Sequence, residues 1–407
     1  MEKIDGGITT PQGFLASGVH CGVKYRSLDL GLIFSEVNAK AFIGYTSNKV
    51  KAAPVQVMMD EASKELRAFV INSGNANALT GKRGYEDALT MKYYVAKSLE
   101  IDPVEVGVIS TGLIGRFLDM PKIIYGIDKA CRELSSGREI DQKAAEAIIT
   151  TDTGIKEVAY RVKLSDGSHI MIGGMAKGSG MIAPHLKVLH GTTLSFITTD
   201  AVLSDDFINV WQEILNDSLN MISVDGDQST NDMSVLLANG MAGGECADED
   251  PIFLEALRSA MQDLARSIAL DGEGATKLIE VTVNQAKTKP EARSAAMSIL
   301  NSPLVKTAIF GSDPNYGRIM MALGNSDCEF ILEDVHLTIK GGDLEIPILE
   351  GGAPVFEDQR SVEVVRMAMD NSFVQIVVDL GIGEESATGW GCDLSYDYVR
   401  INAEYST

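Results

Sequence analysis

Gly191 and Thr192 have the residue types found at the scissile bond of self-cleaving proteins. The small residue leaves room for the threonine hydroxyl to attack the preceding carbonyl carbon. Cleavage would make Thr192 a new N-terminus, with its hydroxyl as the nucleophile and its own α-amine as the general base. A Gly-Thr pair is also common where a turn leads into a strand, so the dipeptide alone does not establish this chemistry.

A second group of residues could stabilise the charge that such a reaction develops. Ser110, Thr111 and Gly112 follow a predicted strand at 106–109. Glycine lets a backbone N–H approach a ligand closely, and the neighbouring hydroxyl can add a second donor. Two such donors would form an oxyanion hole for a tetrahedral intermediate. The alternative interpretation is an ordinary Ser-Thr-Gly turn.

Charged and amide side chains in turns are candidates for binding a charged substrate. Lys177, in Ala-Lys-Gly-Ser-Gly, could meet a carboxylate, and the segment is not a Walker A motif. Glu273 lies between two glycines after a predicted helix and could bind an ammonium group. Asn402 and the carboxylate of Thr407 could close over a site. The structural alternatives are an exposed lysine, a glycine helix stop and a frayed chain end.

Polar residues also cluster in turns at 72–77, 225–232 and 311–317. Asn, Asp, Ser and Gly favour turns through local hydrogen bonds and positive φ angles. We therefore interpret these clusters as structural. The threonines of the turn at 150–153 add further hydroxyl groups.

Composition limits the classes of partner and compartment. The chain has 407 residues and a formal net charge of −22, which argues against nucleic acid or an anionic membrane as a partner. The five cysteines are far apart and form no Cys-x-x-Cys, which indicates a reducing compartment. The five histidines lack metal-ligand spacing, so no metal is expected. No apolar run is long enough for a membrane span, and the N-terminus has no signal region, so we expect a cytoplasmic protein.

Short apolar runs predict strands, and apolar residues three or four apart predict amphipathic helices. The predicted strands are 30–34, 68–71, 106–109, 170–172, 278–283, 335–340, 374–380 and 398–401. The predicted helices are 84–100, 120–133, one capped by Ser204, and one that begins at Asp250 and Pro251. The pattern is mixed α and β throughout. Turns at 184–192 and 284–290 are the best candidate domain boundaries.

These signals belong to one ordered pattern over nearly the whole chain. It is carried by residues 11–18 (PQGFLASG), 75–77 (NAN), 110–115 (STGLIG), 150–153 (TTDT), 177–182 (KGSGMI), 196–201 (FITTDA), 224–227 (VDGD), 271–275 (DGEGA), 301–306 (NSPLVK), 313–315 (DPN), 391–393 (GCD) and 400–402 (RIN). On these motifs the sequence resembles the ornithine acetyltransferase family, also called the bifunctional glutamate N-acetyltransferases of arginine biosynthesis.

The resemblance implies a precursor that cleaves itself between an alanine and a threonine, which becomes the nucleophile. Carried onto this chain, cleavage falls between Gly191 and Thr192, and the oxyanion positions are Thr111 and Gly112. The positions that the resemblance assigns to substrate binding are Thr150 or Thr151, Lys177, Thr192, Glu273, Asn402 and Thr407.

The resemblance also implies a mixed α/β fold of two interleaved domains, similar to N-terminal-nucleophile enzymes. Residues 1–191 would form an α fragment with the oxyanion hole, and 192–407 a β fragment with the nucleophile, assembled as a heterotetramer of two α and two β chains. The implied reaction moves an acetyl group from N-acetylornithine to glutamate through an acetyl-threonine, without a cofactor. The sequence leaves open whether acetyl-CoA is a further donor.

One segment departs from the family pattern. Seven residues, 185–191, separate Pro184 from Thr192, where the family usually has about three. Gly191 replaces the usual alanine, and Thr193 the usual methionine. The pattern Thr-x-Leu-x-Phe-Ile-Thr-Thr-Asp still selects Thr192 as the nucleophile, with Thr193 as the fallback.

Two other functions use the same residues. An N-terminal-nucleophile amidohydrolase or aminopeptidase would pass the acyl group to water instead of glutamate. An uncleaved amino-acid-binding protein would have the pocket without the reaction. The acetyltransferase is the interpretation that the motifs favour.

Overall fold

The computed structural model describes residues 1–186, 193–355 and 359–404. Within these ranges the chain forms two mixed β-sheets with helices packed on and between them. The strands are β1 (Glu2–Lys3), β2 (Phe14–Val19), β3 (Leu30–Tyr45), β4 (Glu65–Asn75), β5 (Val106–Leu113), β6 (Lys156–Lys163), β7 (His169–Lys177), β8 (Leu194–Thr199), β9 (Ile222–Ser223), β10 (Met233–Ala238), β11 (Leu278–Ala286), β12 (His336–Gly341), β13 (Leu344–Glu350), β14 (Ala353–Pro354), β15 (Phe373–Asp379) and β16 (Glu385–Cys392). The α-helices are α1 (Ala53–Glu61), α2 (Gly81–Leu99), α3 (Met120–Arg132), α4 (Arg138–Ile148), α5 (Phe207–Asn216), α6 (Pro251–Leu270), α7 (Lys289–Asn301), α8 (Pro303–Phe310), α9 (Tyr316–Gly324), α10 (Gln359–Met369) and α11 (Tyr396–Glu404).

The first sheet has the strand order β1-β6-β7-β8-β10-β3-β4-β5, with β2 also paired to β3. The long strand β3 shifts its register with β4 between Phe34 and Ala39. Before the shift it pairs with β2 and β4, and its last residues pair with β10. Such irregularities bend a strand, so β3 joins two groups of strands in one curved sheet.

The second sheet has the order β14-β13-β12-β15-β11-β16-β9. Strand β9 belongs to it through its pairing with β16, although in sequence it lies between β8 and β10 of the first sheet. Helix α6 lies between the sheets and packs on β6 and β7 of one and on β9 and β16 of the other. The predicted mixed α/β fold with interleaved parts is therefore confirmed.

Strand β8 is buried along its whole length because both faces of the first sheet are covered. Successive side chains of a strand point to opposite faces. Phe196 therefore packs edge to face against Phe69, with ring centroids 5.1 Å apart, in the core beneath α1–α4. Ile197 belongs to the other core, which includes α6 and the second sheet. This double burial fixes the position of the strand that follows the predicted cleavage site.

Three sequence predictions were wrong. Residues 398–401 belong to helix α11, because a four-residue alternation is too short to distinguish a strand from a helix, and the Ser395 hydroxyl accepts a hydrogen bond from the Asp397 N–H at the helix start. Ser204 does not cap α5, which begins at Phe207 after Asp206, since the Ser204 hydroxyl accepts from the Asp206 N–H in the preceding turn and donates to Asp248. Residues 284–290 are no domain boundary, because they join β11 to α7, which packs on the same sheet.

The helix predicted to begin at Asp250 is α6, and its cap gives a stability test. The Asp250 carboxylate accepts hydrogen bonds from the N–H groups of Ile252 (2.9 Å) and Phe253 (3.0 Å), and Pro251 needs no partner. We expect Asp250→Ala to lower the free energy of unfolding by about 1 kcal/mol, the usual cost of losing such a cap. Urea unfolding measures it, with Glu255→Ala, an exposed change on the same helix, as the control. Equal midpoints for the two variants would contradict the cap's role.

Candidate active site

A cavity of about 500 Å³ brings together predicted site residues that are far apart in sequence. Those that line it are Thr111, Gly112, Thr150, Thr151, Lys177, Glu273 and Asn402. The remaining predicted site residues, Gly191, Thr192 and Thr407, lie outside the described residues. Thr193 and Leu194, which follow Thr192 in the chain, also line the cavity. One pocket therefore holds every predicted site residue that the structure describes.

The two predicted oxyanion residues lie near the end of β5, where it pairs with β4. Gly112 has a φ of 128°, and a Cβ there would lie 2.4 Å from the carbonyl carbon of Gly74. Only glycine fits this approach. Within the described part of the chain, no hydrogen bond engages the hydroxyl of Thr111, which is largely buried at the cavity wall. The end of β5 can therefore offer a hydroxyl beside a glycine backbone to a developing oxyanion.

Asn231 holds this strand end in place. Its side-chain amide donates to the carbonyl oxygens of Ala76 (2.6 Å) and Ser110 (2.7 Å). The Ser110 hydroxyl donates to the Asn72 side chain at 2.6 Å. The turns at 72–77 and 225–232, interpreted from sequence as structural, thus position the predicted oxyanion residues. Only the long-range contact of Asn231 shows this, and the sequence carries no local signal for it.

Asp152 organises the wall that contains Thr150 and Thr151. Its carboxylate accepts hydrogen bonds from the N–H groups of Thr150 (3.0 Å) and Gly178 (2.7 Å) and pairs with Lys156 at 2.7 Å. Burial acts to raise the pKa of Asp152, but the ammonium groups of Lys177 and Lys156 outweigh burial and hold this pKa well below its usual range. Asp152 is therefore an ionised anchor. Since both threonines line the cavity, the structure does not select one of them.

Glu273 and Asn402 meet on another wall. The Asn402 side-chain amide donates to a Glu273 carboxylate oxygen at 2.9 Å. The Glu273 N–H donates to the Ser179 carbonyl at 3.0 Å, which joins this turn to the glycine-rich turn after Lys177. Helix α11, rather than the predicted strand, carries Asn402 to the site. The Glu273 carboxylate therefore lines the cavity with one oxygen bound to an amide, and its remaining acceptor sites can receive an ammonium group.

The cavity contains ammonium groups as well as carboxylates. Lys177 is 9% exposed, and within the described ranges no hydrogen bond or close ion pair ties up its ammonium group. Lys24 is a second lysine of the lining, which the sequence analysis missed because a lysine in a polar loop is too common to be a signal. Charges of both signs suit ligands that carry both carboxylate and ammonium groups.

Asp232, also missed from sequence, lies directly before β10 and beside the predicted nucleophile segment. It is 5% exposed, and its Oδ2 has no hydrogen-bond partner among the residues that the structure describes. Burial raises its pKa to about 7, against the opposing effects of the Thr193 N–H and the Lys177 ammonium. Thr193 itself has a φ of 102°, a rare conformation for a β-branched residue. The backbone is thus strained next to the predicted scissile bond.

The described parts of the chain show neither a metal site nor a membrane span. They contain no group of His, Cys, Asp or Glu side chains that could hold a metal ion. None of their helices is both long and apolar enough to cross a membrane. The expectation of a reaction without metal or cofactor stays a prediction.

Comparisons with known proteins show the family of the chain. The ArgJ family model matches residues 15–407. An arginine biosynthesis bifunctional protein ArgJ from Caldanaerobacter subterraneus subsp. tengcongensis is 47% identical over 414 residues, with 100% of both chains covered. A glutamate N-acetyltransferase from Methanothermobacter thermautotrophicus is 44% identical over 410 residues, covering 100% of this chain and 99% of the relative. The solved ornithine acetyltransferase from Mycobacterium tuberculosis, complexed with ornithine, is 40% identical, with a TM-score of 0.42, over 46% of this chain and 99% of that chain.

The raised pKa of Asp232 predicts a specific pH dependence of stability. Its folded value of about 7 exceeds its ordinary value of 3.8, so the folded state binds more protons between these limits. The contribution of Asp232 to the free energy of unfolding is therefore fully present below about pH 4 and is lost as pH rises through about 7. In a Thr192→Ala chain, which lacks the hydroxyl needed for cleavage, Asp232→Asn should remove this loss, by up to about 4 kcal/mol at pH 8.

Unfolding free energies of the two chains from pH 4 to pH 8 measure this effect. The advantage of the chain with Asp232→Asn should grow with pH across that window. Stability curves that stay parallel would show that Asp232 is not held protonated in the uncleaved chain. Asp225→Asn is the comparison variant: burial also raises the pKa of Asp225, but both of its carboxylate oxygens accept backbone hydrogen bonds, from Met181 and Ile182, so this change should lower stability at every pH.

Proposed function

Because the chain belongs to the ArgJ family, we propose that it moves an acetyl group from N-acetylornithine to glutamate through an acetyl-ester on Thr192. The chain is an acyltransferase, a glutamate N-acetyltransferase of arginine biosynthesis. One observation carries the finer proposal: a single cavity combines the oxyanion residues with the Lys177 ammonium and the Glu273 carboxylate. Such a cavity suits amino-acid substrates that react at an acetyl carbonyl.

The first half-reaction transfers the acetyl group to the enzyme. The α-amine of Thr192 accepts the hydroxyl proton while Oγ attacks the acetyl carbonyl carbon. The Thr111 hydroxyl and the Gly112 N–H stabilise the negative charge on the carbonyl oxygen. The intermediate collapses, the C–N bond breaks, and the ornithine nitrogen leaves with the proton that the α-amine held. Ornithine departs, and the acetyl group remains as an ester of Thr192.

The second half-reaction reverses these roles. The amine of glutamate attacks the ester carbonyl, and the same oxyanion residues stabilise the second tetrahedral intermediate. The Thr192 α-amine takes the proton lost by the attacking nitrogen and returns it to Oγ as the ester bond breaks. The threonine hydroxyl is restored and N-acetylglutamate leaves. Thr193 and Leu194, which follow Thr192 in the chain, line the cavity, and this supports the proposal that Thr192 is the nucleophile.

The cleavage products are held together by the first sheet. Cleavage before Thr192 gives fragments 1–191 and 192–407, yet β8 and β10 of the second fragment lie between β7 and β3 of the first. The β7–β8 and β10–β3 pairs both cross between fragments. Separation would break two strand ladders and expose both cores, so the fragments remain one unit. We extend the proposal to a heterotetramer of two α and two β fragments.

The proposal also covers the cellular compartment and the need for a cofactor. All five cysteines are free thiols in the structure, which supports a reducing compartment such as the cytoplasm. The reaction as written uses no cofactor, and acetyl-CoA would enter only as an alternative acetyl donor to Thr192. Neither the amidohydrolase nor the uncleaved binding protein has support from the names of the relatives.

Self-cleavage is the first test of this proposal. The purified chain should yield fragments 1–191 and 192–407 without added protease, and they should separate only in denaturant. Thr192→Ala should stay intact and inactive, because no hydroxyl is present to start the acyl shift, whereas Thr193→Ala should still be cleaved. Intact mass and N-terminal sequencing decide. A C-terminal fragment that begins elsewhere, or an active chain that is never cleaved, would refute the role of Thr192.

The acetyl-enzyme is the second test. Incubation with N-acetylornithine alone should leave one acetyl group on the C-terminal fragment, and double-reciprocal plots should be parallel, because one nucleophile serves both substrates in turn. Thr111→Ala should lower kcat by about 10²- to 10³-fold, the usual effect of losing an oxyanion donor. Thr111→Ser keeps the hydroxyl and is the control. Intersecting plots without an acetylated species would indicate direct transfer instead.

A further inference from the structure

Lys24 is a second ammonium group of the cavity, and its loop is held firmly. The Lys24 N–H donates to the fully buried Asp29 carboxylate at 2.9 Å, and the same carboxylate accepts from the N–H groups of Cys21 and Gly22. At the other end, the ammonium group donates to the Ile149 carbonyl at 3.0 Å. Both ends of the lysine are therefore fixed, and its position is built into the loop.

The stem of Lys24 passes next to the oxyanion residues. It packs on Gly74, where a Cβ would lie 2.8 Å from the Lys24 Cγ. Gly74 has a φ of 96° and packs in turn on Gly112. A side chain at Gly74 would displace the lysine. Lys24 therefore lines the same cavity as Thr111 and Gly112, with its stem on Gly74 and its ammonium group at the Ile149 carbonyl.

The Lys24 ammonium has unused hydrogen-bonding capacity. Such a group has three donors, and among the described residues the Ile149 carbonyl takes one. Burial lowers the pKa of Lys24, while the charges of Asp29, Glu146 and Asp152 act to raise it. None of these carboxylates forms a direct ion pair with its ammonium in the described part of the chain. A half-buried cation without an anionic partner is a site for a ligand carboxylate.

Apart from the acetyl group that is transferred, the two substrates of the proposed reaction differ at the far end of the side chain. N-acetylornithine ends there in an ammonium group, and glutamate ends in a carboxylate. Both end atoms are four bonds from the α-carbon, so the cavity must accept a side-chain end of either charge. Lys177 can bind the shared α-carboxylate and Glu273 the ornithine ammonium. Neither suits the second carboxylate of glutamate, which Glu273 would repel.

We propose that Lys24 binds the side-chain carboxylate of the acceptor and thereby selects glutamate. This inference rests on the proposed acetyl transfer and adds to it a residue that acts in the second half-reaction alone. One cavity then serves oppositely charged side chains without rearrangement, because Glu273 and Lys24 each bind one of them. The uncharged amide glutamine should be a poor acceptor for the same reason.

The test measures each half-reaction separately in Lys24→Met, which removes the charge and keeps an unbranched side chain. Acetyl loading from N-acetylornithine should stay within about threefold of the parent chain. Transfer from isolated acetyl-enzyme to glutamate should lose roughly 10- to 100-fold in kcat/KM, mostly in KM, the size expected for a charge-assisted hydrogen bond. The preference for glutamate over glutamine should fall by the same factor. Lys24→Arg keeps the positive charge and should retain most of this preference.

Two other variants complete the design. Lys122→Met removes a lysine that lies beside the same loop, near Gly22, but not at the cavity, and should leave both half-reactions unchanged. Glu273→Gln should give the reciprocal result, with acetyl loading from N-acetylornithine reduced more than transfer to glutamate. A structural defect would lower the rates with both acceptors together. These changes should instead alter the ratio of kcat/KM for glutamate to kcat/KM for glutamine.

The outcomes separate this inference from the function on which it rests. If the parent chain forms no acetyl-enzyme or gives no N-acetylglutamate, the proposed function fails. If the parent is active but Lys24→Met keeps its preference for glutamate over glutamine, Lys24 does not bind the acceptor carboxylate. Equal losses in both half-reactions, or loss of acetyl loading in Lys24→Met and Lys24→Gln alike, would likewise overturn the assignment.

Discussion

The backbone pairing of β8 with β7 and β10 is the constraint on which the rest of the structure depends. These ladders fix Leu194 relative to Lys177 on β7. They also place Asp232 beside Thr193, because β8 and β10 are parallel and begin at the same register. Since both faces of β8 are buried, a slip of one residue would exchange the side chains of two cores. The positions of Thr193 and Leu194, which follow the proposed nucleophile in the chain, thus depend on the register of one strand.

Electrostatics explains why the site tolerates so many charges in little space. Asp152 is stabilised by Lys156 and backbone donors, so it anchors the wall without drawing Lys177 into a direct ion pair. Lys177 and Lys24 therefore keep hydrogen-bonding capacity for a ligand. Asp232 differs from the well-paired Asp152, because one oxygen of its buried carboxyl group has no hydrogen-bond partner among the described residues. Fully paired charges build the walls, and incompletely paired ones face the cavity.

Site residues could be predicted from the sequence where the residues next to them in the chain form a recognisable motif. Gly112 and the glycines around Lys177 and Glu273 mark turns at element ends, and turn chemistry is local. Most strands were also predictable, because their apolar runs suffice to identify them. Lys24 and Asp232 could not be found this way, since their roles come from contacts with residues distant in sequence. The short segment 398–401 was misassigned because four residues cannot define a period.

The cavity residues come from elements that are far apart in the sequence. Thr111 and Gly112 come from the end of β5, Lys177 from β7, and Asp232 from the start of β10. No subset close in sequence contains the oxyanion residues and the segment after the cleavage site together. The strain at Thr193 likewise exists only once β8 is paired, because an isolated chain would relax a φ of 102°. Self-cleavage, as proposed, would therefore require that the first sheet is already folded.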